Sequence, residues 1–450
     1  IRQSLVGSEM CIRDRLNAET IPVGDDAGAE WAAQVAAELA SMPNVRLMTR
    51  TTVIGAFDHG IYGAVERITD HLAAAPDGTA RQVLWRIYSK RSILCAGSFE
   101  RPIAFANNDR PGIMQAGALR AYANRWAVAA ASEVAVFTNN DDGHRTASDL
   151  AAKGVKVAAI IDTRANAPDH SDAEVLAGAC VTDSRGRLGL SKIKVRSADG
   201  SHRWITCGAL GVSGGWNPNV HLTCHQRGRP VWDDAIAAFV PGAVGPIGLS
   251  SAGAASGMLS TAAALTGGTA AAVNALGEIG VKAKAMAMPE AEDAQVSITA
   301  FWHVTGKGRA WLDQQNDVTV KDVRLAYQEN FQSVEHLKRY TTLGMATDQG
   351  KTSNIAGLAV MAEIAGKTIP EVGTTIYRPP YTPTAIGAFG GRSRDETFRP
   401  VRLTPSHKWA SEQGAVFVEV GMWMRAQWFP QAGETEWRQS VDREVLATRR

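Results

Sequence analysis

The residues with the clearest chemical potential lie in two stretches. In the first, an apolar run at Val134–Phe137 ends in Thr138-Asn139-Asn140-Asp141-Asp142-Gly143, and a second apolar run closes at Asp162. A strand–turn–helix unit of this kind is where glycines cradle a pyrophosphate against a helix N-terminus. Here Thr138 and Asn140 replace the first two glycines of that fingerprint, and Asp141 and Asp142 would repel phosphates. Asp162 has the spacing of a ribose-binding acid. The unit therefore reads as a nucleotide-binding fold that has lost its own dinucleotide site. The second stretch gathers Lys338, Thr341, Thr347, Gln349, Lys351 and Thr352 close to a helix start at Ser353. Cations and hydroxyls there suit a phosphate, with a solvated face as the alternative. His221, Cys224 and His225 could set two imidazoles on one helical face, but Pro218 and Gly228 argue against a helix, and no metal site is expected. His303 and His336 read as packed or surface residues, and no Ser–His–Asp or Cys–His arrangement emerges.

The elements that must position these groups alternate. Apolar, β-branched runs at Val45–Val53, Val83–Cys95, Val134–Phe137, Val155–Asp162 and Leu210–Val212 predict strands. Between them Ala27–Ala40, Gln115–Trp126 and Thr146–Lys153 predict helices, a pattern of parallel sheets. A further helix is expected over Ser256–Ala272. A linker occupies 279–305 and a helical module 306–376, in which Thr319 with Asp322 predicts a capped helix to Glu329, and Ser353 caps one ending at Gly366. A Pro-rich connector at 377–397 leads to a last segment, 398–450, whose Trp409, Trp423 and Trp428 are expected to be core.

Composition narrows the class. The chain has 450 residues, 45% hydrophobic and 20% charged, with a formal charge of +2 and a mean hydropathy of −0.13. These values exclude collagen, a disordered tail and a disulfide miniprotein, and without a Lys/Arg block they disfavour nucleic acid. Gly257–Leu276 is too rich in Ala, Thr and Gly to span a bilayer, so no membrane partner is expected. Five scattered cysteines without a CxxC suggest a reduced, cytoplasmic protein. Ser4–Arg15 resembles one translated frame of a transposase adapter used in DNA library preparation. Residues 1–15 are therefore expected to be a disordered artefact, Cys11 to carry no chemistry, and the remainder to be a fragment.

Several runs carry resemblances. Ser92–Gly97 and Leu210–Pro218 resemble returning strands of flavoproteins with two dinucleotide-binding domains. Leu249–Ala254 lies where those proteins carry a Gly-Asp pair, and Ala254 cannot hold a ribityl chain. Residues 312–353 resemble a bacterioferritin-associated-ferredoxin type of [2Fe–2S] domain, with Asp313, Gln315, Asp348 and Ser353 at its four cysteine positions. Without thiolates no iron–sulfur cluster is expected.

Arg101–Gly112, Phe137–Asp142, Ser213–Pro218, Ser333–Asn354 and Tyr377–Pro383 together resemble the alpha-subunit family of heterotetrameric sarcosine oxidases, from Leu16 to Arg450. The resemblance implies an α/β fold: a two-dinucleotide-binding-domain, flavoprotein-like (Rossmann-type) domain at 16–278 with a degenerate nested unit at about 130–210. A small helical, cluster-less ferredoxin-like module and the start of a folate-binding aminomethyltransferase-like domain would follow. It implies an oxidoreductase acting on CH–NH donors, converting sarcosine to glycine with hydrogen peroxide and, with tetrahydrofolate, methylene-tetrahydrofolate. Non-redox NAD would sit in the alpha subunit, FMN at the interface with the beta subunit, FAD in the beta subunit and tetrahydrofolate in a C-terminal domain. Beta, gamma and delta subunits would be the partners. Val53, Ala254, Leu259 and Thr261 are expected to line the NAD site, and Lys338, Thr341, Thr347, Gln349 and Lys351 the FMN phosphate pocket. The N-terminal glycine-rich NAD fingerprint is missing, so the site should be half-built and the fragment inactive alone. Two rivals are an alpha subunit of a related amine or proline dehydrogenase and a non-catalytic scaffold subunit.

Overall fold

The computed structural model describes residues 16–18, 20–294, 298–345, 348–391, 393 and 395–450. The adapter-like segment and Thr347 lie outside these. The chain divides into two compact units, Ile1–Thr384 and Ala385–Arg450.

In the first unit, helix α1 (Gly28–Ser41) precedes an antiparallel sheet of β1 (Thr51–Phe57), β2 (Ile61–Arg67) and β3 (Gln82–Tyr88). The strand expected at Val45–Val53 begins only at Thr51, because the chain turns at Arg50, whose φ is 55°. The run expected at Val83–Cys95 breaks into β3 and β4 (Ser92–Leu94), where Ser89 turns back to donate its N–H to Gly60 O.

A five-stranded parallel sheet follows. It holds β5 (Ile113–Gln115), then α2 (Ala116–Trp126), β6 (Glu133–Thr138), α3 (Asp141–Ala152), β7 (Lys156–Asp162) and β8 (Val175–Ala177). An antiparallel excursion, β9 (Cys180–Arg185), β10 (Lys192–Arg196) and β11 (His202–Thr206), returns to β12 (Ala209–Ser213). The spatial order β8-β7-β6-β12-β5 is Rossmann-like. Helix α3 starts five residues before the expected Thr146, because the Asn140 side chain caps it by accepting from Asp142 N. Arg101, fully buried, ties two of the distinctive runs together by donating to Gly214 O and Asn217 Oδ1 at 2.7 and 2.8 Å.

His221–Cys224 does form a short helix, α4, correcting the expectation: Pro218 precedes its start and Gly228 follows its end. The helix expected over Ser256–Ala272 is split. After β13 (Leu249–Ser251), parallel to β4, a 3₁₀ turn at Gly253–Ser256 ends at Gly257 (φ 88°), and α5 (Thr261–Gly277) begins only after Ser260 caps it. The segment read as a linker is tacked down: Ser260 Oγ donates to Asp293 Oδ1 at 2.6 Å, and Val23 bridges Ala291.

The helical module begins with a short hairpin, β14 (Trp311–Asp313) and β15 (Val318–Thr319), then α6 (Val320–Gln328), α7 (Val334–Thr341) and α8 (Asn354–Ala365) around one apolar core. The Thr319–Asp322 capping box is present. Ser353 precedes α8 but its hydroxyl caps nothing, lying instead 3.4 Å from Asp313 Oδ2.

In the second unit β16 (Arg402–Leu403), β17 (Val416–Val420) and β18 (Trp423–Trp428) form one sheet, accompanied by α9 (His407–Glu412) and α10 (Trp437–Thr448). Trp409 and Trp423 are 60% and 38% exposed, so they are not core within this unit, whose small sheet has too little facing surface to cover them. No helix among the described residues is long and apolar enough to cross a membrane.

Candidate functional site

At the β6–α3 turn the chain's own charges pair with one another. Arg120 donates to both oxygens of Asp142 at 3.1 and 3.0 Å, with both residues buried. Arg164 donates to Asp162 at 2.8 Å and to Asp141 at 2.7 Å. His144 Nε2 lies 2.8 Å from Asp162 Oδ2. Burial alone would raise the Asp162 pKa, but these hydrogen bonds and the Arg164 charge hold it below the usual carboxylate value. The acid with ribose-binding spacing is therefore committed to a guanidinium and an imidazole. Thr138 packs tightly over the turn: a Cβ on Gly143 would stand 2.4 Å from its Oγ1.

The second dinucleotide-like turn, between β13 and α5, carries no acidic residue in the helix's first turn. Its N–H groups are partly covered: Ala263 N donates to Ser260 Oγ and Ala262 N to Glu292 O, each at 3.1 Å. Thr261, only 2% exposed, has an Oγ1 with no hydrogen-bond partner among the described residues. A buried hydroxyl left unpaired costs about 1–3 kcal/mol, so this orphan fits a ligand oxygen. Val53 packs with Ala255 and Tyr381 in one apolar cluster, while Ala254 and Leu259 belong to a neighbouring one. Strand β1 and the 3₁₀ turn thus share one apolar cluster through Val53 and Ala255.

In the helical module, three of the four positions aligned with cluster cysteines converge. Asp313, 2% exposed, accepts from Gly344 N (2.8 Å), Gln315 N (3.0 Å), Asn316 N (3.1 Å) and Asn316 Nδ2 (3.0 Å), with Ser353 Oγ at 3.4 Å. Asp348 lies close enough for the Asp313 charge, after burial itself, to help raise its pKa. One carboxylate fills the centre of the loop, and thiolates are absent from all four positions. These residues do not fit an iron–sulfur cluster.

The expected phosphate donors are mostly engaged elsewhere. Gln349 Nε2 donates to Arg378 O and Pro380 O, and its Oε1 accepts from Arg378 N. Lys351 Nζ donates to Asp348 O and Tyr381 O and sits 4.4 Å from the Tyr381 ring. Burial lowers its pKa to about 8, against the opposing pull of Asp348. Thr341 Oγ1 donates to Leu337 O. Lys338, half-buried, has no hydrogen-bond or ion-pair partner among the described residues, so its ammonium alone is fit to meet a phosphate as it stands.

Gln349 and Lys351 instead clasp the connector, and with it a group of residues that sequence reasoning passed over. Tyr381 N donates to Ile54 O of β1 at 2.6 Å, and Asn219 Nδ2 donates to Tyr381 OH at 2.5 Å. His221 packs between Tyr377 and Tyr381, ring centres 4.1 and 5.5 Å away. Burial, then the Lys351 and His225 charges, push its pKa well below that of free imidazole. His225 accepts from Ala56 N through Nδ1, and burial brings its pKa to about 4. Both imidazoles are thus neutral packing groups, and no set of three metal-ligating side chains gathers among the described residues. The available signal was the Tyr-Arg-Pro-Pro-Tyr run, whose two aromatic rings needed a buried partner.

Comparison with known proteins agrees with this layout. Residues 307–392 match the sarcosine oxidase A3 domain. The sarcosine oxidase subunit alpha of Rhizobium meliloti (strain 1021) is 42% identical over 441 residues, 97% of this chain and 44% of that protein. Its counterpart in Corynebacterium sp. (strain P-1) is 40% identical over 449 residues, 95% of this chain and 46% of that protein. The chain therefore spans less than half the length of these relatives. Among solved structures, L-proline dehydrogenase from P. horikoshii shares the fold, with a TM-score of 0.62 at 18% identity, over 86% of this chain and 74% of that one. Along nearly its whole length the chain is thus similar to sarcosine oxidase alpha subunits, and residues 307–392 match the sarcosine oxidase A3 domain.

Proposed function

We propose that this chain is part of the alpha subunit of a heterotetrameric sarcosine oxidase, which oxidatively demethylates sarcosine to glycine with release of hydrogen peroxide and, with tetrahydrofolate, forms methylene-tetrahydrofolate. The observation that carries the reading is the 42% identity extending over 97% of the chain. In this reading NAD is held without redox turnover, FMN lies at the interface with the beta subunit, FAD belongs to the beta subunit, and gamma and delta subunits complete the assembly. Tetrahydrofolate would bind in the aminomethyltransferase-like part that residues 398–450 begin. The flavins supply the electron transfer. What this chain supplies is position and charge: Val53, Ala254 and Leu259 offer apolar walls, and the Thr261 hydroxyl a hydrogen bond, to the dinucleotide. Lys338 offers a cation to the FMN phosphate. Thr341, Thr347, Gln349 and Lys351 complete the proposed neighbourhood, with Gln349 and Lys351 acting by holding the connector in place. Residues 1–450 alone should turn over no sarcosine.

The dehydrogenase fold at TM-score 0.62 supports a second reading, an amine or proline dehydrogenase alpha subunit. Asp313, Gln315, Asp348 and Ser353 weigh against its cluster-bearing form. Co-expression of the full-length chain with its companion subunits, followed by a flavin spectrum and sarcosine-dependent oxygen uptake, separates the two. Peroxide formed in proportion to oxygen consumed supports the oxidase. Reduction of a dye but not of oxygen, with proline as substrate, supports the dehydrogenase.

A further inference from the structure

The three-stranded excursion β9–β11 is strongly basic. Residues 180–206 hold six Lys/Arg against two Asp, a local excess of four, while the whole 450-residue chain carries only +2. Strand register concentrates that excess on one face. Ile193 and Val195 of β10 are fully buried beneath the sheet, so Lys192, Lys194 and Arg196 must all project from the other side. Across the sheet Lys194 pairs with Trp204 and Arg196 with His202, and Arg185 pairs with Lys192. Trp204, 37% exposed, is flanked by Arg185 and Lys192, whose charges stand 4.9 and 5.2 Å from its ring.

The acids nearby do not neutralise this face. Asp183, opposite Lys194, accepts from Asn107 Nδ2 at 2.7 Å and from Ser184 N. Asp199 lies in the exposed β10–β11 hairpin and accepts from Ser201 N. Glu174 is paired with Arg203, on the opposite side of β11. Arg185, Lys192, Lys194 and Arg196 have no carboxylate within ion-pair distance among the described residues. Like charges side by side on a sheet are destabilising, so the arrangement costs the isolated chain some stability. An aromatic ring ringed by cations on a rigid sheet has the composition of a binding hot spot.

We propose that this face docks an acidic segment of a companion subunit, an inference that rests on the multi-subunit reading above. The row Lys192–Arg196 is only about 14 Å long at strand spacing. That suits a short run of Asp and Glu lying across Trp204. A duplex bound through about 6–10 phosphates would need a longer stripe.

The test uses the full-length alpha chain co-expressed with the other oxidase subunits. Lys192→Glu/Lys194→Glu should weaken assembly roughly tenfold and flatten its salt dependence, read by light scattering after gel filtration across a salt series. Trp204→Ala should weaken assembly without changing that salt slope. Lys282→Glu/Lys284→Glu, an equal charge change in the linker, should alter neither. Assembly and salt slope unchanged in the sheet double variant would overturn the proposal. So would a wild-type preference for a 30-nucleotide DNA or for anionic lipid vesicles that the same variant abolishes while the subunits still assemble. If wild type itself forms no complex, the oxidase reading fails and this proposal with it, an outcome distinct from a complex that ignores the variant.

Discussion

At the N-terminus of α3 three carboxylates pair with two guanidinium groups, and an imidazole lies within hydrogen-bond distance of one of them. At the N-terminus of α5 there is no charged residue in the first turn, and a buried hydroxyl has no partner among the described residues. Both are helix starts that follow a strand, the geometry that binds phosphates elsewhere. The difference lies in what fills the space beyond the strand. In the nested unit Arg164, just past the end of β7, donates both to Asp162 and to Asp141 at the start of α3. In the β13–α5 unit a backbone carbonyl from Glu292 covers one N–H and leaves Thr261 Oγ1 open. At the first helix start cations satisfy the chain's own acids, and the helical module shows the converse, an anion, Asp313, satisfying the donors of a loop.

The largest effects should come from removing those internal plugs. Arg164→Ala leaves Asp162 buried without its guanidinium, a loss of about 3–5 kcal/mol, visible as a lower midpoint in urea denaturation of the full-length chain. The variant should still bind no dinucleotide at the nested unit, since Thr138 continues to fill the turn. Saturable NAD binding gained by Arg164→Ala would break the comparison. Asp313→Ala strands the Gly344, Gln315 and Asn316 N–H groups and should cost about 3 kcal/mol. An unchanged melting temperature would show that water replaces the carboxylate freely.

A pH effect of a few kcal/mol is expected beside the first plug. Glu100 is buried with Oε1 unpartnered among the described residues, while Oε2 accepts from Gly117 N at 2.7 Å at the start of α2. Burial, then the Asp142 charge, raise its pKa to about 8, partly offset by Ser213, Gly117 N and Arg120. Between the unfolded value near 4.5 and 8, the folded state holds a proton that the unfolded state has released. Stability should therefore fall as pH rises through that window. Glu100→Gln should remove this slope, which denaturation midpoints at pH 5 and pH 8 would measure. An unaltered slope would locate the titrating group elsewhere.

Much of the fold was readable from residue patterns because it rests on short-range rules. The strands of the nested unit, the Thr319–Asp322 capping box and the turn in which two of three glycines are replaced each lie within a few residues of sequence. The plugs are not local: Arg120 meets Asp142 and Arg164 meets Asp141 across 22 and 23 residues. No spacing rule distinguishes such cations from solvated ones. The phosphate donors near Ser353 misled for the same reason. Composition showed that Lys351 and Gln349 could donate, and only the packing of the connector, some 30 residues on, showed to whom. His221 was set aside because proline and glycine flank it, yet a four-residue helix fits between them.

Lys338 sharpens the comparison from the module's side. Its ammonium has no partner among the described residues where that of Lys351 is engaged, so in the assembled enzyme Lys338→Ala should weaken FMN retention by about 1.5–3 kcal/mol, the worth of a charged hydrogen bond. FAD in the beta subunit should be untouched. Lys351→Ala should act less on FMN and more on the connector, increasing proteolysis near residues 377–384. Equal flavin loss in the two variants would mean that Lys351 leaves the connector when FMN binds.

The smallest effect is the most direct test of the open helix start. Thr261→Val keeps the shape of the side chain and removes only the hydroxyl, so no cavity or clash accompanies the change. Without ligand the folded chain loses an unsatisfied buried group, and the variant should be equally stable or up to about 1 kcal/mol more stable. With NAD the same hydroxyl has its partner, and the variant should bind roughly fivefold more weakly, about 1 kcal/mol. The two signs are opposed, which separates a binding role from a packing role. Calorimetric titration of the full-length alpha chain gives the affinity, and a melting curve without NAD gives the stability. If Thr261→Val binds NAD as wild type does while melting higher, the hydroxyl is simply an unsatisfied group. The β13–α5 turn would then be as closed to the dinucleotide at this position as the β6–α3 turn is.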